Sequence, residues 1–102
     1  AVSVVKENNG IWMGVQWDTI PLAPENVLVS LVYDWSPILN DIVSNMKEGS
    51  FGGRAYDLTF KDGGLKFVWN TENMEIDPEL IAMADDLAAK ITAGEISPLP
   101  AQ

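Results

Sequence analysis

Polar and aromatic side chains follow two apolar segments of the sequence, at positions suited to holding a small molecule. The segments are residues 11–18 and 27–35, and each is a continuous apolar run with β-branched and aromatic residues that turns polar and aromatic at its carboxyl end. Such runs predict strands that are buried on both faces of a parallel sheet. Ligands of open α/β sheets lie at the carboxyl ends of the strands. We therefore predict four ligand-binding residues at these strand ends: Gln16, Trp17, Asp18 and Tyr33.

Each of these side chains has a binding role and a structural alternative. The Gln16 amide can form hydrogen bonds to the polar edge of a ligand, or can form them to neighbouring protein groups at the strand end. Trp17 and Tyr33 can stack on a planar ring, or can pack within the fold, Trp17 under the loop around Pro21. Asp18 can contact a ligand, or can cap a loop as carboxylates at strand ends often do.

Catalysis is not expected from this chain. The sequence contains neither histidine nor cysteine, which excludes imidazole bases, thiol nucleophiles and the usual zinc sites. Asp62-Gly63-Gly64 is not followed by the lysine and helix of a phosphate-binding loop, so it predicts a turn. We expect no catalytic residue, no metal and no cofactor.

The charge balance excludes one large class of partners. The 102 residues include 15 acidic and 6 basic side chains, for a net charge of −9. Nucleic-acid binding requires clustered lysine and arginine, and the basic residues here are scattered. No apolar run approaches the roughly 20 residues that span a bilayer.

Helix and turn signals complete an α/β pattern. Ser36-Pro37 predicts a serine-capped helix, and Asp77-Pro78 begins a second helix that Gly94 ends. Two alternating runs, residues 55–60 and 65–69, are separated by turn residues and predict a β-hairpin. The predicted fold is a parallel sheet flanked by helices, plus this hairpin.

The first ten residues resemble the last turns of a helix, with Gly10 in the left-handed position that ends it. A complete domain rarely begins in this way. We expect the chain to be the carboxyl-terminal piece of a longer protein, with residues 1–96 as its folded portion and residues 97–102 forming a tail.

Four stretches resemble a known family of binding proteins. In chain order they are Met13–Val15, Leu22–Ser30, Glu48–Gly49 with Lys61–Leu65, and Ala89–Ile96. Their order and spacing resemble the last third of the basic membrane protein, or purine-nucleoside receptor, lipoproteins. The resemblance covers nearly all of the chain.

This resemblance implies a function as well as a fold. The family consists of substrate-binding proteins of ABC importers with a two-lobe, type I periplasmic-binding fold. It implies an extracytoplasmic protein, periplasmic or membrane-anchored, that holds a purine-like base or nucleoside between its lobes and delivers it to permease subunits. It also implies that the strand ending at Tyr33 crosses between the lobes, so that residues 1–96 contribute to one or both of them. A ligand-sensing regulatory domain on the same fold is the alternative, and an upstream lipobox cysteine would distinguish the two.

Two positions depart from the family pattern. Gln16 stands where the family has an aspartate that grips ribose hydroxyls, and Tyr33 stands where it has a lysine. A neutral amide makes weaker and more mixed hydrogen bonds than a carboxylate. A free nucleobase or another flat heterocycle therefore suits Gln16, Trp17 and Tyr33 at least as well as a nucleoside.

Overall fold

The computed structural model describes residues 1–98 and is mixed α/β, which confirms the predicted fold class. Within these residues a three-stranded sheet is accompanied by helices. In chain order the elements are α1 (Val2–Glu7), β1 (Trp12–Gln16), a 3-10 helix (Ile20–Leu22), β2 (Val27–Tyr33), α2 (Ser36–Lys47), β3 (Leu65–Trp69) and α3 (Pro78–Ala93). Most of the predicted tail, residues 99–102, lies outside the described residues.

β2 is the central strand of the sheet, and its two neighbours run in different directions. Residues 13–16 of β1 pair in parallel with residues 29–32 of β2, as predicted. Residues 65–69 of β3 pair antiparallel with residues 29–33. The sheet is therefore mixed, and only its β1–β2 half is parallel.

The predicted hairpin between residues 55–60 and 65–69 is wrong, because only the second segment is a strand and it pairs with β2. The turn itself forms: Oδ1 of Asp62 accepts from the backbone N–H groups of Thr59 (3.2 Å) and Gly64 (2.8 Å). An isolated two-stranded hairpin is only marginally stable in water. β3, which contains Phe67 and Trp69, pairs instead with the edge of β2 that is opposite β1 and so joins a larger sheet.

β1 is not buried on both of its faces, although its sequence resembles that of β2. Met13 is 69% exposed and Val15 is 56% exposed, whereas Gly14 between them is buried. β1 lies at the edge of the sheet, and no element among residues 1–98 covers its outer face. The prediction from continuous hydrophobicity holds for β2, in which every residue is buried or half-buried.

Two helix ends use different residues from those predicted. Asn9, with φ of 55°, takes the left-handed position after α1, and Gly10 has an ordinary φ with its N–H bonded to Val5 O (2.9 Å). Asparagine tolerates this conformation better than most residues. At the start of α2, Asp34 Oδ1 accepts the backbone N–H of Ser36 (3.0 Å), so the aspartate rather than the serine supplies the capping oxygen.

The ends of α3 are as predicted. The Asp77 carboxylate accepts the backbone N–H of Glu79 at 2.9 Å, Pro78 occupies the first turn, and Gly94 ends the helix with φ of 77°. Both long helices nevertheless keep much of their apolar face in solvent. Their large exposed side chains are Leu39, Val43 and Met46 on α2, and Leu80, Met83 and Leu87 on α3.

The described residues form an extended body around a small core. The radius of gyration is 17.1 Å, compared with about 13 Å for a compact domain of 100 residues. The buried apolar residues are Ala23, Val27, Val29 and Ile38, and the buried polar residues are Thr19, Asn26, Ser30 and Asn70. Polar residues are therefore as numerous as apolar ones among these buried positions.

Asn70 is the most connected of these buried polar residues. It follows β3, and its Nδ2 donates to Pro24 O (2.6 Å) and to Val27 O (2.7 Å). Its backbone N–H donates to Leu28 O at 3.1 Å, which extends the pairing of β3 with β2 by one residue. Asn70 thus attaches the end of β3 to the loop that leads into β2.

Candidate functional site

The parallel pairing of β1 and β2 brings the predicted site residues to one end of the sheet. β1 ends at Gln16 and β2 ends at Tyr33, with Gln16 opposite Val32. Trp17 and Asp18 follow directly after β1. We call this region the carboxyl end of the sheet, defined by Gln16, Trp17, Asp18 and Tyr33.

The backbone conformation of Gln16 separates its side chain from the regular pattern of the sheet. Gln16 lies opposite Val32, whereas the next residue of β2, Tyr33, lies opposite Leu65 of β3. Successive side chains of an extended strand point to opposite faces, but Gln16 has a φ of +81°, so this alternation ends at Val15. A ligand that touches both Gln16 and Tyr33 must therefore sit beyond the strand ends.

Trp17 is not a core residue of the described structure, since 54% of its surface is exposed. Trp35, which follows β2 and precedes α2, has the same exposure. Aromatic rings left open at a strand end offer flat surfaces for a planar ligand. The structure thus leaves Trp17 free to bind, and ligand contact by Trp17 stays a prediction.

Asp18 has a structural role in the loop after β1. Its Oδ1 accepts the backbone N–H of Ile20 at 3.0 Å and so starts the short 3-10 helix. This is the capping role that carboxylates at strand ends commonly take. Ligand contact through the rest of the Asp18 carboxylate stays a prediction.

A buried pair of hydroxyl groups fixes the loop that carries Trp17 and Asp18. Ser30 Oγ accepts the backbone N–H of Thr19 at 3.0 Å and lies 3.2 Å from Thr19 Oγ1. Gly14 lies beneath this pair, where a Cβ would meet Thr19 and Ser30 side chains. These supporting residues were not among the predicted site residues. The detectable sign was Ser30, a lone polar residue in an otherwise apolar strand.

Lys66 is a second residue that sequence reasoning missed. It lies near the start of β3, opposite Val32, and its Nζ is 3.3 Å from Oδ2 of Asp34. The predicted hairpin placed Lys66 away from the candidate site. Because β3 instead runs antiparallel to β2, its first residues lie at the carboxyl end of the sheet.

Asp34 is held in its ionised form by these neighbours. Hydrogen bonding from Ser36 lowers the pKa of Asp34 below the ordinary value of 3.8, and the Lys66 ammonium lowers it further. Because the folded-state pKa is depressed, the stabilisation from these contacts is present above pH 3.8 and is lost as the pH falls through the folded-state value. The Asp34 carboxyl beside Lys66 is therefore ionised across the neutral range.

Two surface cavities of about 370 Å³ lie in different parts of the described residues. One adjoins the candidate site and extends from Asp18 and Ile20 to Trp69. The other lies between α2 and the segment after it, lined by Met46, Phe51 and other side chains, away from the strand ends. Only the first is continuous with a predicted site residue.

The strand-end position of Gln16 is backbone-strained, since its φ is +81°. A non-glycine residue in this conformation lowers the free energy of unfolding by about 1–2 kcal/mol. Glycine removes this strain, but its greater conformational freedom in the unfolded chain offsets part of the gain. We expect Gln16→Gly to raise the free energy of unfolding by about 0.5 kcal/mol, measured by urea denaturation.

Val15→Gly, in the same strand, is the matched control for this substitution. Val15 has no such strain, so glycine there should lower the free energy of unfolding by about 1 kcal/mol. Equal losses at both positions would contradict the strain at Gln16.

The chain is similar to several curated proteins along most of its length. It is 35% identical over 102 residues to Basic membrane protein A of Borreliella burgdorferi, which covers 94% of this chain and 29% of that protein. It is 36% and 35% identical, over 100 residues each, to Basic membrane proteins A2 and A1 of Borrelia garinii subsp. bavariensis, with the same coverage. These relatives confirm the resemblance predicted from the sequence. No protein-family model matches the chain.

The match covers a part of each relative. The chain spans about 29% of the length of the curated relatives, which is consistent with the predicted assignment to part of a longer protein. Among residues 1–98, no helix combines the length and the hydrophobicity needed to cross a bilayer.

Proposed function

We propose that this chain, a relative of the basic membrane proteins, is the carboxyl-terminal part of a substrate-binding protein that captures a solute for an ABC importer. The observation that carries the proposal is the carboxyl end of the sheet, where β1 and β2 end side by side at Gln16 and Tyr33 and are followed by exposed indoles. Hydrogen-bonding groups beside aromatic rings at such a position suit a small planar ligand. A binding role is favoured over catalysis because Asp18 and Asp34 each use a carboxylate oxygen to form a turn.

The rest of the binding cleft is proposed to come from a longer polypeptide. The chain spans about 29% of its relatives, so we propose that the missing amino-terminal portion supplies the rest of an interlobe cleft. Permease subunits would receive the ligand when the lobes open. The relatives' name supports an extracytoplasmic, membrane-associated protein, and we propose a periplasmic protein or an anchored lipoprotein. Capture of this kind needs no cofactor.

The proposed ligand is a purine-like base or another planar heterocycle, with nucleosides as weaker ligands. Gln16 and Tyr33 are neutral, so neither supplies the carboxylate that binds two ribose hydroxyls strongly. We expect a thermal-shift screen of the full-length protein to show larger increases in Tm with bases than with the matching nucleosides. A marked preference for nucleosides that Gln16→Ala abolishes would instead assign the sugar contact to the amide.

Trp17 is expected to contribute to affinity and little to stability. Its side chain is 54% exposed, so truncation leaves no large cavity. Loss of an aromatic contact at a binding site costs about 1–3 kcal/mol of binding free energy. We expect Trp17→Ala to weaken binding of the best base by about that amount in calorimetry, with less than about 1 kcal/mol lost in urea unfolding.

Phe51→Ala is the control for removing an exposed aromatic ring. Phe51 is 77% exposed and lies after α2, away from the carboxyl end of the sheet, so affinity should not change. A loss of roughly 3–5 kcal/mol in the stability of Trp17→Ala, with unchanged affinity, would make Trp17 a packing residue.

A further inference from the structure

The outer edge of β1 is unpaired within residues 1–98. The sheet has the order β1–β2–β3, so β1 has a neighbouring strand on one side alone. Natural edge strands are commonly protected by a charged side chain or a proline, and Trp12–Gln16 contains neither. Met13 and Val15 are moreover 69% and 56% exposed. β1 therefore has the sequence of an interior strand at the position of an edge strand.

The backbone of β2 alternates between its two neighbours. The N–H of Asn70 donates to Leu28 O at 3.1 Å, so Leu28 faces β3. The N–H and C=O groups of successive residues in a strand point to opposite sides, so Val29 and Leu31 face β1.

This alternation determines which groups of β1 point to its outer edge. In a parallel pair, a residue that faces the partner strand bonds to the two neighbours of its register partner. The register partners of Val29 and Leu31 are Met13 and Val15. The backbone N–H of Gly14 therefore points to β2, and those of Met13 and Val15 point outward.

α1 occupies the place of the crossover helix in a β–α–β unit. It ends at Glu7, and residues 8–11 connect it to the start of β1 at Trp12. A short connection of this kind is typical of a helix that leads into a strand of a parallel sheet. Parallel strands are joined by such crossovers, so a strand that precedes α1 would run parallel to β1.

The position of α1 selects the edge at which that strand pairs. The crossover from β1 to β2 covers one face of the sheet, where Thr19 lies against Ser30. α1 lies beside this crossover, since a surface cavity of about 600 Å³ is lined by Val2 and Lys6 of α1 and by Leu22. Crossovers between parallel strands have the same hand in nearly all proteins. Two successive crossovers on the same face therefore step across the sheet in the same direction, which places the preceding strand at the outer edge of β1.

We propose that a strand of the preceding polypeptide, directly before α1, pairs in parallel with the outer edge of β1 and makes β1 an interior strand. The inference rests on one part of the proposed function, the assignment of this chain to the carboxyl-terminal part of a longer protein. The chain spans about 29% of its relatives, which leaves ample length for such a strand.

Hydrogen exchange of single backbone amides, followed by NMR in the full-length protein, tests this pairing. We expect the N–H groups of Met13 and Val15 to exchange at least about a hundredfold more slowly than in an unstructured peptide, as hydrogen-bonded amides of folded strands do. The N–H of Gly14 is the internal control, because it bonds to β2 and should be protected whatever lies at the outer edge. Nuclear Overhauser contacts should connect the two outward amides to residues that precede Ala1.

Three results would overturn the pairing while Gly14 stays protected. The first is exchange of Met13 and Val15 within about tenfold of the unstructured rate. The second is Overhauser contacts from these amides to residues that follow α1. The third is protection that disappears when a dimer dissociates in sedimentation experiments, which would assign the edge to a second copy.

The outcome is independent of ligand binding. Solute binding together with an unprotected edge would overturn this inference alone. A protected edge in a full-length protein that binds neither bases nor nucleosides would support the pairing and contradict the proposed solute capture.

Discussion

Gly14→Ala is expected to lower the free energy of unfolding by about 3 kcal/mol, because the added methyl group has no space. Its Cβ would lie 3.0 Å from Ser30 Oγ and closer still to Thr19 Oγ1. Both hydroxyls are buried and bonded to each other, and Ser30 also holds the Thr19 backbone. The methyl group can be accommodated only if the loop after β1 moves away from the sheet. Urea unfolding followed by tryptophan fluorescence measures the loss.

A double-mutant cycle identifies the cause of that loss. Thr19→Ala removes the hydroxyl nearest to the new methyl group, so the double variant should lose at least about 1 kcal/mol less than the sum of the single losses. Val15→Ala alters the next residue, whose side chain is exposed, and should change stability by less than about 0.5 kcal/mol. Strict additivity at Gly14 and Thr19 would show that the clash is absent.

Asn70→Leu is expected to lower the free energy of unfolding by about 3–4 kcal/mol, because it leaves the carbonyl groups of Pro24 and Val27 without their amide donor. Asn70 is 2% exposed, and its amide donates to Pro24 O and Val27 O at 2.6 and 2.7 Å. Leucine has a similar volume but donates no hydrogen bond. Its effect should appear as a lower midpoint in urea with an unchanged slope.

Asn73→Ala tests whether the two backbone contacts, rather than the whole polar cluster, account for this cost. Asn73 is exposed and donates a single hydrogen bond of 2.7 Å to Asn70 Oδ1. Its removal should cost less than about 1 kcal/mol. If Asn70→Leu were as mild as Asn73→Ala, water would have to replace the amide at both carbonyls.

Local rules predicted the parts of the fold that depend on neighbouring residues. Asp77, Pro78 and Gly94 bound α3 as expected, since capping involves contacts a few residues apart. The turn at Asp62 also formed for this reason. The parallel pairing of β1 and β2, and with it the common end for Gln16 and Tyr33, followed from two adjacent apolar runs.

Apart from the helix ends at Asn9 and Asp34, which are local, the missed features depend on contacts between distant segments. β3 pairs with β2 across more than thirty residues, and periodicity alone does not choose between that pairing and a local hairpin. The same choice determines the position of Lys66 beside Asp34. The exposure of one face of β1 could not be predicted either, because the sequence of an apolar strand does not show whether another element covers that face.

The order in which β2 acquires its partners has a consequence for synthesis on the ribosome. β1 precedes β2 and can pair with it at once, but β3 ends at Trp69, which is 36 residues after Tyr33. At about 5–20 residues per second, the second edge of β2 stays unpaired for roughly 2–7 s. During that interval a nascent chain displays an apolar strand with free backbone groups, a template for aggregation. Ser30 is the one polar residue in that strand, and Asn70, made directly after β3, then ties the finished sheet to the loop before β2.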